Sequence, residues 1–458
     1  MQSASPSSWT TQRPLPKWLL AVICTAIATH LFAFFVSDYQ PSNDAKEYLA
    51  LGTGLSDFGE LKLPSGDRAK RMPLWPATIA LADLWQGRKL LPHAIFEIQA
   101  VLSLLSVIFV ALIGSRMAGP RAGLLAGLIA ALYAPYRSLQ ASYLCEVLVI
   151  FLLTGAMLAY VASLGARRDA ARWALLSITS VALGLALLTR ADALILAIPF
   201  AVDAALRKNP ALLRIGRVAL LLSGVVIATL AWGLRNQKAV GKFTLSTIGG
   251  LNFYLGNCDD YAESPGMDRA DYGAFDRLRT VSGLSEVEAD ERLYADGKTF
   301  LRENPDRTLA NALLKTRVWF QSTVTWCAPT TILLILWMLA AAGPQNARRF
   351  FIGAAGAWTL IWIVIFSETL RPWASSLFVV PLGLVGLALM RDPPHLRGLL
   401  IGLVAAQLAV AIVFIPLERL RWTIDWIFIL AIAAATARFC EPNVASRLAD
   451  DNQPHARL

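Results

Sequence analysis

Long apolar runs constrain this sequence more than any other feature. Charged residues make up only 16% of the chain, whereas soluble domains carry about 25%. Because about 20 apolar helical residues cross a bilayer, the runs predict an all-α polytopic membrane protein with about 12 transmembrane helices. The candidate spans lie at 18–36, 94–115, 122–136, 142–162, 173–189, 193–205, 218–234, 322–341, 350–366, 374–390, 398–415 and 422–437.

The net charge of +10 reflects membrane orientation rather than a nucleic-acid partner. Lys and Arg concentrate in alternate connecting segments, at 13–17, 116–121, 167–172, 207–217, 348–349, 391–397 and 438–457. This is the positive-inside pattern, so we expect both termini to be cytoplasmic and no nucleic acid to bind. The first run has no small-residue cleavage site after it, which indicates an uncleaved anchor.

Two outer segments are too long to be simple connections. They divide the chain into an N-terminal module with a first outer loop, a second outer loop, and a C-terminal module: 1–234 (spans 1–7) with 37–93, then 235–317, then 318–458 (spans 8–12). The second loop contains a helix-like stretch from Ser285 to Phe320, broken at Pro305. We interpret it as an amphipathic helix on the outer leaflet, with a lid over a cavity as the alternative.

Familiar soluble-enzyme motifs are missing from the sequence. It contains no GxxxxGK[ST], GxGxxG, HExxH or GxSxG pattern, which disfavours ATP-driven transport and zinc proteolysis. The five cysteines form no CxxC pair, and we interpret them as small core residues. A disulfide between Cys258 and Cys327 is the alternative.

Two acidic residues near membrane depth are candidates for chemistry. Asp44 follows the first span and could take a proton from a hydroxyl, although a solvated loop acid or a helix cap is the alternative. Glu146 lies in YLCEVLVIF, with apolar residues on both sides. An unpaired carboxylate there is costly, so we expect a cation, a hydrogen-bond network or a metal beside it; a structural ion pair is the alternative to a site role.

Basic residues on the outer side could hold a phosphate. Arg68, Lys70 and Arg71 form a cluster in GDRAKRMPLWP, and guanidinium groups match phosphate oxygens well. Snorkelling of the same side chains into lipid headgroups is the alternative. Further arginines are expected on this face: Arg190, Arg235, Arg371, Arg419 and Arg421.

An ordered set of segments resembles the bacterial GT-C glycosyltransferases of the glycosyltransferase family 39 and aminoarabinose-transferase-like group. The segments include NDAKEYLALGTGL, RAKRMPLWPATIAL, YLCEVLVIFLLTGAML, RNQKAVGKFTLSTIGGLNFYLGN and ERLRWTIDWIFILAIAA, and together they cover nearly the whole chain in order. Two departures stand out. Lys70-Arg71-Met72-Pro73 replaces the Glu-Lys-Pro-Pro of aminoarabinose transferases, and ERLRW lacks the tyrosine that usually follows the first arginine.

The resemblance implies an inverting transferase that moves a sugar from an undecaprenyl-phosphate-linked donor. The acceptor would be a periplasmic lipid, glycan or protein, at the outer face of a bacterial inner membrane. Asp44 would be the catalytic base, and Glu146 would orient the acceptor or a divalent metal, Mg or Mn, which Asp44 could also ligate. The donor-phosphate candidates are Arg71, Arg68, Lys70, Arg371 and Arg419. The candidates for lining the cavity are Tyr48, Arg190, Asn252 and Asn257.

The rival hypothesis is a secondary transporter or a flippase for lipid-linked sugars, because about twelve spans with both ends inside suit one. Such a protein should show internal repeats and charges at mid-membrane. We find no convincing repeat, and the candidate charges lie towards the outer side. An O-antigen ligase or polymerase is disfavoured because its large outer loop would fall late in the chain.

Overall fold

The computed structural model describes residues 16–36, 42–87, 92–258, 281–320, 373–390 and 394–439, and over these residues the regular structure is helical. The helices are α1 Lys17–Val36, α2 Asn43–Phe58, α3 Leu74–Trp85, α4 Pro92–Leu132, α5 Ala134–Gln140, α6 Glu146–Leu164, α7 Asp169–Thr189, α8 Ala193–Leu206, α9 Ala211–Val240, α10 Gly249–Gly256, α11 Glu286–Glu303, α12 Pro305–Trp319, α13 Trp373–Leu389, α14 Pro394–Val413, α15 Glu418–Trp422 and α16 Trp426–Phe439.

The expected all-α membrane fold is confirmed. Within the described part of the chain, six helices are long and apolar enough to cross a membrane, and α8, α13 and α16 contain shorter apolar helices. The chain is therefore an integral membrane protein. The spans expected at 322–341 and 350–366 lie outside the described residues, as does Cys327, so the number of spans stays a prediction.

The longest helix, α4, contains a break that makes two spans from one apolar stretch. Ala118 and Gly119 leave the helical conformation, and Gly119 has φ +84°, which glycine adopts without strain. Pro120 then begins the second half. The two halves pack closely through small residues: a Cβ on Gly123 would lie 2.8 Å from the Ala111 carbonyl oxygen. This is how helices in lipid commonly approach each other.

Helices α7 and α9 pack through a second small-residue contact. A Cβ on Gly184 would lie 2.5 Å from the Gly224 carbonyl oxygen, and one on Gly224 would overlap the Ser180 carbonyl. The Gly224 amide donates a hydrogen bond to Ser180 Oγ at 2.9 Å. The two backbones therefore touch directly, and only glycine fits at both positions.

A fully buried ion pair fixes the short helix α15 to the rest of the bundle. Arg421 Nε lies 3.2 Å from Asp425 Oδ1, and both side chains are 0% exposed. Arg421 Nη1 donates to the Trp319 carbonyl at 2.9 Å, and Tyr133 donates to Asp425 at 2.5 Å. The network joins the start of α16 to the C-terminal ends of α4 and α12.

The contact between α7 and α9 predicts a specific mutational effect. Gly224→Ala should lower the free energy of unfolding by about 1–3 kcal/mol, the usual cost of overpacking, because the new methyl group meets backbone rather than a flexible side chain. Thermal unfolding of the purified protein in detergent measures this. Gly155→Ala is the matched control, since its methyl group would first meet the Phe109 ring at an ordinary 3.4 Å. Equal unfolding temperatures for the two variants would contradict the contact.

Candidate active site

A cavity of about 590 Å³ lies where the N-terminal ends of α2 and α6 meet the segment before α15. We call it the polar cavity. Its charged lining residues are Asp44, Lys70, Arg71, Glu146, Arg190, Asp192 and Arg419. One part of its wall is apolar and consists of Leu251, Leu255, Val410, Phe414 and Ile415. The cavity can therefore hold a molecule with a charged group and a hydrocarbon portion.

Asp44 lies in the first turn of α2 and points into this cavity. The helix is capped by Ser42, whose Oγ accepts a hydrogen bond from the Ala45 amide, so Asp44 is not the cap. Its Oδ1 accepts from Arg71 Nη2 at 2.6 Å, and its Oδ2 accepts from Arg419 Nη2. A carboxylate between two guanidinium groups is the central feature of the site.

The two arginines control the ionisation of Asp44. Burial by itself would raise the pKa of this carboxyl, but the charges and hydrogen bonds of Arg71 and Arg419 outweigh burial and lower the pKa to about 2. Burial alone would lower the pKa of Arg71, but Tyr48, Asp44 and Glu47 together raise it. Asp44 is therefore ionised, and a weak base, as long as both arginines contact it.

A second carboxylate on α2 holds Arg71 from the other side. Glu47 Oε2 accepts from Arg71 Nε at 2.7 Å, and Glu47 Oε1 accepts from Lys70 Nζ at 2.7 Å. The Arg71 guanidinium carbon lies 5.3 Å from the centre of the Tyr48 ring. Sequence reasoning missed Glu47. Its signal was the three-residue spacing from Asp44, which puts both carboxylates on one helix face.

Glu146 begins α6 and is 2% exposed. The expected cation partner is Arg190, whose Nη1 lies 3.1 Å from Glu146 Oε1, with Arg419 Nε at 3.8 Å from the same oxygen. Asp192 in turn accepts from Arg190 Nε and Nη2 at 3.1 and 3.2 Å. Sequence analysis missed Asp192, although its position two residues after Arg190 was visible.

The remaining candidate residues divide into those that line the polar cavity and those that do not. Tyr48 and Asn252 line it. The Arg68 side chain lies outside the lining and faces Glu60 at 3.6 Å. Asn257 is buried elsewhere, where it accepts from Lys315 Nζ at 3.1 Å and donates to the Val413 carbonyl at 2.9 Å. Arg371 lies outside the described residues.

Helix α11 contributes to the wall of the polar cavity, and the lid interpretation of this segment stays a prediction. Ser285 and Glu288 form a capping box at its start, and Tyr294 lines the polar cavity. The Glu286 carboxylate accepts from the Arg68 amide at 2.7 Å and from Thr247 Oγ1 at 2.7 Å. The helix is thereby tied to the segment that carries Lys70 and Arg71.

The residues of the polar cavity do not fit a divalent metal site. The described residues contain no group of three or more His, Cys, Asp or Glu side chains that could hold an ion. Both oxygens of Asp44 accept from arginine, and Glu146 contacts Arg190. The expected option of a metal held by Asp44 and Glu146 is therefore not supported by their surroundings.

Comparison with solved structures finds an oligosaccharyltransferase of similar fold and matches ArnT at a lower TM-score. The archaeal oligosaccharyltransferase AglB from Archaeoglobus fulgidus, in complex with an inhibitory peptide and a dolichol-phosphate, matches with a TM-score of 0.51 at 12% identity, covering 96% of this chain and 52% of that one. ArnT from Cupriavidus metallidurans bound to undecaprenyl phosphate matches with a TM-score of 0.39 at 12% identity, covering 92% and 78%. No protein-family model and no curated sequence matches the chain.

The likeness to the oligosaccharyltransferase confirms the GT-C fold that the sequence resemblance implied. This chain spans about half the length of that enzyme, 52%. At 12% identity the likeness concerns the fold, so the activity has to be argued from the residues of the site.

Substitution of the two arginines on α15 should change the stability of the protein by different amounts. Arg419→Gln should leave the fold nearly intact, because this side chain is 23% exposed and its carboxylate partners keep Arg71 and Arg190. Arg421→Gln should lower the free energy of unfolding by about 3–5 kcal/mol, since it leaves Asp425 buried without its cation. Thermal unfolding in detergent compares the two. Similar losses for both variants would contradict the assignment of Arg419 to the cavity and of Arg421 to the core.

Proposed function

We propose that the protein is an inverting glycosyltransferase that uses a polyprenyl-phosphate-linked sugar. The acceptor would be a lipid, glycan or protein on the periplasmic side of the inner membrane, and the polar cavity would open to that side. The observation that carries the proposal is Asp44 held between Arg71 and Arg419 in a cavity with an apolar wall. This arrangement combines a base, phosphate-binding groups and a lipid-compatible surface.

The cations of the cavity suit the donor phosphate. Arg71 and Arg419 contact Asp44, and Lys70 lines the same cavity. Guanidinium groups bind phosphate oxygens by paired hydrogen bonds. Arg419 Nε is buried and has no hydrogen-bond acceptor among the described residues. A phosphate oxygen would satisfy it. The apolar wall, which includes Leu255 and Phe414, would take the first isoprene units.

The proposed reaction is a single displacement. The acceptor hydroxyl oxygen attacks the anomeric carbon while the bond from that carbon to the phosphate oxygen breaks, which inverts the configuration. Asp44 takes the hydroxyl proton, and polyprenyl phosphate leaves with the bonding electron pair and one additional negative charge. Arg71 and Arg419 stabilise that charge, and such electrostatic stabilisation is usually the largest contribution to catalysis.

Donor binding would also activate the base. In the empty cavity Arg71 and Arg419 suppress the basicity of Asp44. A donor phosphate competes for the same N–H groups, so their contact with Asp44 weakens when the donor is bound. The pKa of Asp44 then rises towards the ordinary carboxyl value, and the carboxylate becomes a better proton acceptor. Glu146 would keep its contact with Arg190 when the donor is bound.

Turnover of a donor panel tests the proposal. Purified protein in nanodiscs, given polyprenyl-phosphate sugars and cell-envelope extract as acceptor, should release free polyprenyl phosphate from at least one donor. Asp44→Asn should slow the release by a factor of about 10² or more, because a positioned base contributes that much. Asp57→Asn, an exposed residue on the same helix, is the matched control and should match wild type.

Two results would contradict this function. The first is wild-type turnover by Asp44→Asn. The second is the absence of release from every donor by protein that is folded and inserted, which would favour the transporter hypothesis.

The pH dependence tests the activation of Asp44 by the donor. The acid limb of kcat/KM reports the free enzyme, where the pKa of Asp44 is about 2, so Asp44 should produce no acid limb above about pH 3. The acid limb of kcat reports the donor complex and should lie at higher pH, because the phosphate has drawn the arginines away. Steady-state rates from pH 3 to 8 should therefore show an acid limb in kcat and none from Asp44 in kcat/KM. Coincident limbs would contradict competition between the phosphate and Asp44.

A further inference from the structure

A second cavity lies at the opposite ends of the helices that form the polar cavity. It has a volume of about 370 Å³, and we call it the basic pocket after its lining residues Arg172, Arg207, Lys208, Arg217 and His395. Ser163, near the C-terminal end of α6, also lines it, whereas Glu146 at the start of α6 lines the polar cavity. At 1.5 Å per residue these two positions are about 26 Å apart. Since the hydrocarbon core is about 30 Å thick, the two cavities face opposite leaflets.

The basic pocket carries more cation charge than its surroundings neutralise. Its lining contains no Asp or Glu. Arg172 has Asp169 at 2.5 Å and Arg207 has Asp203 at 2.7 Å, but no carboxylate of the described chain lies within 4 Å of Lys208 or Arg217. A site with two unneutralised cations attracts an anion.

Arg217 also has a hydrogen-bonding group without a partner. Its Nε is buried and has no acceptor among the described residues. A buried donor without an acceptor is costly, and a phosphate oxygen is the acceptor that a guanidinium group matches best. An anionic oxygen ligand would therefore complete the hydrogen bonding of the pocket.

A hydrogen-bond network holds Arg207 ready in the wall. Tyr160 donates to Asp203 at 2.5 Å, and Arg207 Nε donates to the same carboxylate oxygen at 2.8 Å. The guanidinium carbon of Arg207 lies 5.9 Å from the centre of the Tyr160 ring. Because both partners are buried, Arg207 stays in place when the pocket is empty.

The apolar surface around the pocket identifies the source of the anion. Leu206 and Leu212, on either side of the turn that carries Lys208, are 71% and 81% exposed, and Ile215 on the next turn is 64% exposed. Contiguous exposed apolar side chains on a membrane protein mark a surface that contacts lipid. The anion that reaches this position is therefore attached to a lipid.

We propose that the basic pocket binds the phosphate headgroup of an anionic phospholipid in the leaflet opposite the polar cavity. Basic pockets between transmembrane helices on the positive-inside face bind such headgroups in other membrane proteins. The lipid would connect the ends of α6, α7, α8, α9 and α14, all of which contribute lining residues. The inference does not depend on the proposed transferase activity.

Native mass spectrometry of delipidated full-length protein tests the site, with phosphatidylglycerol and phosphatidylcholine as probes. Wild type should retain phosphatidylglycerol at one site that phosphatidylcholine does not fill. Lys208→Gln should weaken this binding about fivefold, and the double variant with Arg217→Gln about 25-fold, since each cation near the surface contributes about that factor. Arg214→Gln is the matched control on the same helix, removes the same charge outside the lining, and should bind as wild type.

Because the Lys208 side chain is exposed, Lys208→Gln should fold normally. The test therefore does not depend on the double variant. Equal losses from Arg214→Gln and Lys208→Gln would overturn the pocket as the site. Equal retention of both lipids would overturn the requirement for anionic charge. A final experiment uses inorganic phosphate as the probe. If 10 mM phosphate raised the unfolding temperature as much as phosphatidylglycerol does, and no lipid were retained, the assignment to a lipid would be overturned.

Discussion

The site depends on the pairing of charges that cannot be buried alone. Asp44, Glu47, Glu146 and Asp192 face Lys70, Arg71, Arg190 and Arg419, and these eight groups balance one another. An unpaired charge at this depth would be costly, whereas a connected set of pairs offsets the loss of water. The network therefore constrains where α2, α6 and α15 begin. Each of these helices places a charged residue in it.

The short helix α15 shows how the site and the core are connected. Arg419 and Arg421 are two residues apart and point in different directions: the first reaches Asp44, and the second pairs with Asp425 in the interior. The buried pair holds α15 against Tyr133 and Trp319, so Arg419 is presented to the cavity by a fixed backbone. A more mobile arginine would lose more conformational entropy on binding phosphate.

Much of the fold and part of the candidate site could be predicted from the sequence. The lengths of the apolar runs identified the described membrane helices. The charged segment 116–121 separated the two halves of α4, and the break at Gly119 lies within that segment. Asp44, Arg71 and Glu146 could be singled out because isolated charges near membrane depth are unusual. The contact between Asp44 and Arg419 could not be predicted from the sequence, since 375 positions separate the two residues. Arg68 and Arg71 belong to the same basic cluster of the sequence, yet the Arg68 side chain contacts Glu60 instead of lining the polar cavity.

The central claim is that Asp44 and the donor phosphate share the same two arginines. Binding of a polyprenyl phosphate to wild type and to Asp44→Asn, measured by calorimetry in matched detergent, tests this most directly. The account predicts that the variant binds the phosphate more tightly, by roughly fivefold, because Arg71 and Arg419 are no longer neutralised by a carboxylate. Weaker binding by Asp44→Asn would contradict the account, since Asp44 would then hold the ligand instead of competing with it.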